Sequence, residues 1–201
     1  MDIAAASGGF VPIEQIRQSI DVLNGEYGGK GYVFSLAQSQ DHQRPDWFQN
    51  ADLDASGEND NPYAAQLKRE TRTGGPATLN IWSVELQNSR VLSYARFPWW
   101  YNQTPQMDGV VTKWTTTPNG AELGLLHTFQ GGCAGPGDYV ADTPAEASPA
   151  SDCDERRDTC PGVGTDPIHN HMDYTGDACR TGFTPGRVQR MRTITRMYRG
   201  L

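Results

Sequence analysis

The sequence predicts an α/β (α+β) fold: a mixed sheet with helices in the first part, then a loop-rich, disulfide-stapled part that ends in a helix. Three observations predict it. Helix-period and strand-period apolar patterns alternate up to about residue 97. From Gly131 to Gly182 the chain becomes rich in Gly, Pro, Asp and Ser and carries all four cysteines, Cys133, Cys153, Cys160 and Cys179. Beyond that stretch, Thr184-Pro185 opens one last helical run. A chain of 201 residues can bury a core of its own. The expected organisation is a single domain, 1–201, of two subdomains, 1–130 and 131–201.

Val11 to Glu26 places Ile13, Ile16, Ile20 and Leu23 on one face of a helix, and Gly28-Gly29 stops it. Tyr32 to Ala37 alternates as a strand does. Residues 38–61 are polar and read as a loop holding Trp47 and Phe48. Asn61-Pro62 begins a second helix through Thr71, because proline lacks an N–H that the first turn leaves unpaired anyway. Thr78 to Leu86 and Val91 to Phe97 read as two strands joined by a turn around Asn88. Thr184 is a good N-cap with Pro185 at the first helical position, for a helix to about Arg199. Its cations, Arg187, Arg190, Arg192, Arg196 and Arg199, are expected on a solvated face.

Hydrophobic content of 36%, with 22 Gly and 13 Pro, is low for a helical bundle and suits a loop-rich domain. A net charge of -7 argues against binding a phosphate backbone, so no nucleic-acid partner is expected. No apolar run reaches the roughly 18 residues of a membrane span, so no membrane partner is expected. The four cysteines imply two disulfides and an oxidising compartment. Their spacing leaves three connectivities open. A zinc knuckle is the rival reading, weakened by the lack of a C-x-x-C pair. Met1 to Gly9 has neither a basic nor an apolar signal-peptide region. The expectation is therefore a fragment of a secreted precursor or a misplaced start.

The most informative stretch is Gly124-Leu125-Leu126-His127-Thr128-Phe129-Gln130-Gly131-Gly132-Cys133, followed by Asn170-His171-Met172-Asp173-Tyr174. It matches the second half of H-E-x-x-H-x-x-G-x-x-H with its Met-turn. The upstream half is absent: the five positions of H-E-x-x-H are Thr117, Pro118, Asn119, Gly120 and Ala121. Other ordered blocks are Gly137 to Glu146, Asp158 to Gly162, Asp166 to Tyr174 and Phe183 to Met191. With these blocks the chain resembles the pappalysin-type (metzincin) extracellular metalloproteases, fungal secreted branch.

The resemblance implies a metzincin-like mixed sheet, a secreted zinc metalloendopeptidase acting on peptide or protein substrates, and a single catalytic domain with its active-site helix truncated. In that family three histidines hold zinc and a glutamate takes a proton from the metal-bound water. Two of the histidines must lie one helical turn apart to reach one ion. Carried over, His127 is the third zinc ligand, Met172 the Met-turn and Tyr174 the residue that stabilises the intermediate. Thr117 and Ala121 stand at the other two ligand positions, and Pro118 at the base. The resemblance pairs Cys133 with Cys160 and Cys153 with Cys179. Catalytic impairment follows from the missing residues. The alternatives are an inactive pseudoprotease acting as a binding module, or a mis-spliced or mispredicted gene product.

Each residue also has a plainer reading. His127 can be an ordinary histidine at a helix end, and Met172 and Tyr174 can be core residues. A substitute metal site from His127, His169 and His171 is the less favoured option, and His42 is expected in solvent. Glu122 sits on the wrong helical face for a displaced base. Asp138, Asp142, Asp166 and Asp173 can bind calcium, as in some relatives, or form turns, the default. Asn102-Gln103-Thr104 is a glycosylation sequon followed by Pro105.

Overall fold

The computed structural model describes residues 9–89, 91–115, 123–162 and 164–201. The expectations placed on Thr117, Pro118, Ala121 and Glu122 lie outside these residues. Contacts divide the chain into two compact units: Met1–Arg96 with Gln103–Pro118, and Phe97–Asn102 with Asn119–Leu201.

The first unit holds α1 (Ile13–Tyr27), α2 (Pro45–Asn50), α3 (Pro62–Thr71) and strands β1 (Ile81–Val84), β2 (Ser93–Ala95) and β3 (Val110–Lys113). In α1, Leu23 and Tyr27 are buried, consistent with the predicted face, while Ile13 is exposed. The expected strand at Tyr32 to Ala37 is not one. The side chain of Asn24 takes its place as pairing partner: Phe34 N donates to Asn24 Oδ1 at 2.7 Å, and Asn24 Nδ2 donates to Phe34 O at 2.9 Å. One amide satisfies both backbone groups that a neighbouring strand would have paired. The polar stretch 38–61 hides the short helix α2, whose Trp47 is buried under Arg44. Helix α3 starts where expected, at Pro62, and Asn61 caps it, its Oδ1 accepting from Ala64 N at 2.9 Å.

The sheet order is β1-β3-β2, with β1 parallel and β2 antiparallel to β3. The two predicted strands are therefore not partners, because β3 lies between them. Their connection is tied to Asp52 instead, whose Oδ2 accepts from the N–H groups of Asn88 and Ser89 at 3.0 and 2.9 Å. Trp47, Ala51, Ala64, Leu67, Trp82, Val84, Leu86 and Val111 form the core. At the rim of this core Lys68, fully buried, sits 2.7 Å from Asp60, which also accepts from the Tyr94 hydroxyl at 2.9 Å. Burial lowers the affinity of Lys68 for its proton, and the paired Asp60 opposes that shift.

The second unit is mostly loop, closed by α4 (Pro185–Arg199). Thr184 caps α4 by accepting from Arg187 N at 3.3 Å, and Gly200 ends it in the left-handed region. Two disulfides, Cys133–Cys160 and Cys153–Cys179, hold the loops, with Ala150 and Ile168 packed beside Cys179. The solvated arginine face expected on α4 needs correction. Arg187 is 0% exposed and Arg199 is buried, because each finds a partner inside the unit.

Candidate functional site

The site lies in the second unit and is built on the turn that carries Met172. Met172 N donates to Asn170 Oδ1 at 3.0 Å, and Asp173 N donates to Asn170 O at 3.0 Å, which closes the turn. Asp173 Oδ1 accepts from Ala150 N at 3.0 Å and from Tyr174 N at 2.7 Å. Its backbone thus held, Met172 points inward and is buried. The Met172 carbonyl faces the preceding motif, lying 3.0 Å from His127 Nδ1 and 3.2 Å from Thr128 N.

A carbonyl only accepts, so the His127 proton belongs on Nδ1 and the Nε2 lone pair is left for a ligand. Burial pushes the His127 pKa below its ordinary value, and the hydrogen bond to Met172 opposes that shift. The neutral ring is flanked by two aromatics. Phe129 stacks on it with centroids 4.9 Å apart, and Tyr174 meets it edge-on at 4.9 Å. Phe129 and Tyr174 also touch at 5.0 Å, and Tyr174 is 58% exposed. The structure thus brings together His127, Met172 and Tyr174, with Phe129 as a fourth member.

Helix α4 fixes the approach to His127. Arg187 Nη1 donates to Leu126 O at 2.9 Å and Arg190 Nε to Gly124 O at 3.0 Å. Arg187 is itself paired with Asp138 and donates to Thr143 Oγ1 at 3.2 Å. Gly124 has φ +84°, and a Cβ there would stand 2.5 Å from Ile194 Cγ2. Glycine is thus needed twice over, for the backbone conformation and for the close approach of α4.

Within this unit, His169 and His171 have other partners. His169 uses both ring nitrogens, with Nδ1 2.7 Å from Cys179 O and Nε2 3.0 Å from Glu155. The ring of His171 packs on Phe183 at 4.9 Å. Among the described residues, three ligand-type groups converge once, at Cys153, His169 and Cys179, and both sulfurs are spent in a disulfide. That also removes the zinc-knuckle reading, since thiolates are what zinc binds. The described donors therefore offer zinc one imidazole at His127 and do not fit a three-histidine site.

The four aspartates have protein partners. Asp138 meets Arg187, and Asp142 accepts from Thr184 Oγ1 and Gly186 N at the start of α4, at 2.7 and 2.8 Å. Asp166 accepts from Thr159 N at 3.1 Å and pairs with Arg157. Sequence reasoning missed Glu146. It is fully buried, with Oε1 2.6 Å from Arg157 and a hydrogen bond to Thr128. Burial, with the charge of Asp173 adding to it, pushes its carboxyl up to about 7. No periodicity marks a buried acid inside a loop; only the pairing of Arg157 with two carboxylates reveals it.

Residues 95–196 match the family model described as pregnancy-associated plasma protein-A. The extracellular metalloprotease 1 of Coccidioides posadasii is 35% identical over 212 residues, covering 95% of this chain and 72% of that protein. The extracellular metalloprotease of Arthroderma benhamiae is 33% identical, covering 98% and 70%. Among solved structures, mirolysin in complex with compound 9 is similar in fold, with TM-score 0.70 at 24% identity over 92% of this chain and 85% of that one. Mature mirolysin of Tannerella forsythia with a cleaved peptide gives TM-score 0.52 at 31% identity, covering 60% of this chain and 53% of that one.

Proposed function

The chain belongs to the pregnancy-associated plasma protein-A (pappalysin) family of metalloproteases, and on that premise we propose that it is an extracellular member with an impaired catalyst, one that binds peptide segments without cutting them. The observation that carries this reading is His127. It is mounted as a ligand, with Nδ1 on the Met172 carbonyl, yet among the described residues it is in no group of three ligand-type side chains. Threonine and alanine occupy the positions of its two partners, and proline that of the base. One neutral imidazole does not hold zinc tightly, and a threonine hydroxyl is a poor substitute.

Peptide binding is supported by what is retained. Tyr174 and Phe129 present aromatic surface beside His127, and the Tyr174 hydroxyl can donate to a peptide carbonyl. The extracellular setting is supported by the relatives' names and by the two disulfides.

The test is metal and activity analysis of the purified chain, paired with a binding measurement. Zinc well below one equivalent, no casein cleavage with or without chelator, and binding of casein-derived peptides that Tyr174→Ala weakens are the expected results. Zinc near one equivalent with chelator-sensitive cleavage would overturn the impaired-catalyst reading. Unbound peptides would remove the binding role.

A further inference from the structure

We propose that Asn102 is N-glycosylated and that the first N-acetylglucosamine of the glycan packs on the exposed indole of Trp100. The inference rests on the extracellular reading above, because the transfer takes place in the secretory pathway. It starts from the sequence: no other asparagine in the chain is followed two residues on by Ser or Thr. The structure adds access. Asn102, Gln103 and Thr104 are all exposed, and Asn102 lies within a turn.

An aromatic group stands directly before the acceptor. Pro98–Trp100 forms a tight turn, with Trp100 N donating to Phe97 O and Tyr101 N to Pro98 O, both at 3.1 Å. Phe97 and Trp99 stack at 4.4 Å, and Trp100 meets Phe97 edge-on at 5.6 Å. These contacts fix Trp100, which is 38% exposed, two residues before Asn102. Ring and acceptor thus stand two residues apart in the chain, where this turn runs into the next. The axial C–H face of N-acetylglucosamine is apolar and suits an indole face.

In the reaction the Asn102 side-chain nitrogen bonds to C1 of the reducing-end sugar of a lipid-pyrophosphate-linked oligosaccharide. The C1–O bond to phosphate breaks, the lipid pyrophosphate leaves, and the amide loses one proton. Pro105, directly after Thr104, slows transfer, so the expected product is partly occupied.

The experiment secretes the full chain from a yeast host behind a leader sequence and reads it by peptide mass spectrometry. The wild type should carry one N-glycan on the Asn102 peptide, released by peptide-N-glycosidase. Asn102→Gln and Thr104→Ala should carry none. Trp100→Ala should lower the occupied fraction severalfold, and Trp100→Phe should restore most of it. An unmodified Asn102 in a chain whose four cysteines resist alkylation would overturn the proposal while leaving the extracellular reading intact. Cysteines open to alkylation would overturn both. Unchanged occupancy in Trp100→Ala would overturn the stacking.

Discussion

Replacing Arg187 by leucine tests how the His127 segment is held. The side chain is fully buried and serves three partners: the Asp138 carboxylate, the Thr143 hydroxyl at 3.2 Å and the Leu126 carbonyl at 2.9 Å. Asp138 is 4% exposed. Arg187→Leu therefore strands a buried carboxylate and a backbone carbonyl. Removing one partner of a buried ion pair costs about 3–5 kcal/mol, a large share of a total stability of roughly 5–15 kcal/mol. For a chain of this size that corresponds to a fall in Tm of about 10 °C. The assay is urea and thermal unfolding of four proteins: wild type, Arg187→Leu, Asp138→Leu and the double variant. If the cost is mainly the stranded charge, the double variant loses less than the sum of the singles by at least ~1 kcal/mol. A single-variant loss below ~1 kcal/mol, or strict additivity, would refute the reasoning and reduce Arg187 to a packing residue.

Two further outcomes follow from buried chemistry in the same unit. The Glu146 carboxyl, raised to about 7, binds its proton more tightly folded than unfolded. It therefore adds stability below its unfolded value, and that stability is lost as pH rises through the folded one. The urea midpoint should fall between about pH 4.5 and 7, and Glu146→Gln should shrink the slope; an unchanged slope would clear Glu146 of the effect. Cys153→Ser/Cys179→Ser removes a bridge spanning 26 residues of sequence, which in the chain-entropy picture costs about 3.5 kcal/mol. Calorimetry with an unshifted transition would show that the loops around Ala150 and Ile168 hold without it.

Where a structural feature depends on neighbours in sequence, it was legible. The cap and first turn of α4 lie in Thr184-Pro185, those of α3 in Asn61-Pro62, and the cysteine number alone implied two bridges. The family blocks likewise pointed to the extracellular metalloprotease relatives. Features that depend on distant partners were not legible. Tyr32 to Ala37 has a strand's alternation, but Asn24 pairs its backbone at Phe34. The two predicted strands do not meet, because the short run Val110–Lys113 inserts between them. The α4 arginines look like a solvated stripe until Asp138 and the Leu126 carbonyl are seen to draw Arg187 inside. Glu146 gives no signal at all without Arg157.

These misses bear on the site. His127 is held by a carbonyl from the Met172 turn, and the residues just before it are tied to α4 by two arginines, one of them fully buried at a desolvation cost. Gly124, with its left-handed backbone, lets the helix come close enough for those bonds. None of these interactions requires a metal. The mount is made of hydrogen bonds, one ion pair and packed apolar side chains, so it is satisfied by the protein alone. On the proposed reading the catalyst, by contrast, would draw on imidazoles and a carboxylate at residues 117–121, where this sequence has neither His nor Glu. On that reading mount and catalyst draw on separate stretches of chain, and the mount does not depend on the catalyst. What remains is an exposed tyrosine and a fixed, neutral imidazole with its Nε2 directed away from the anchoring carbonyl. Those groups can accept and donate hydrogen bonds to a peptide backbone, which is the chemistry that the proposed peptide-binding role needs.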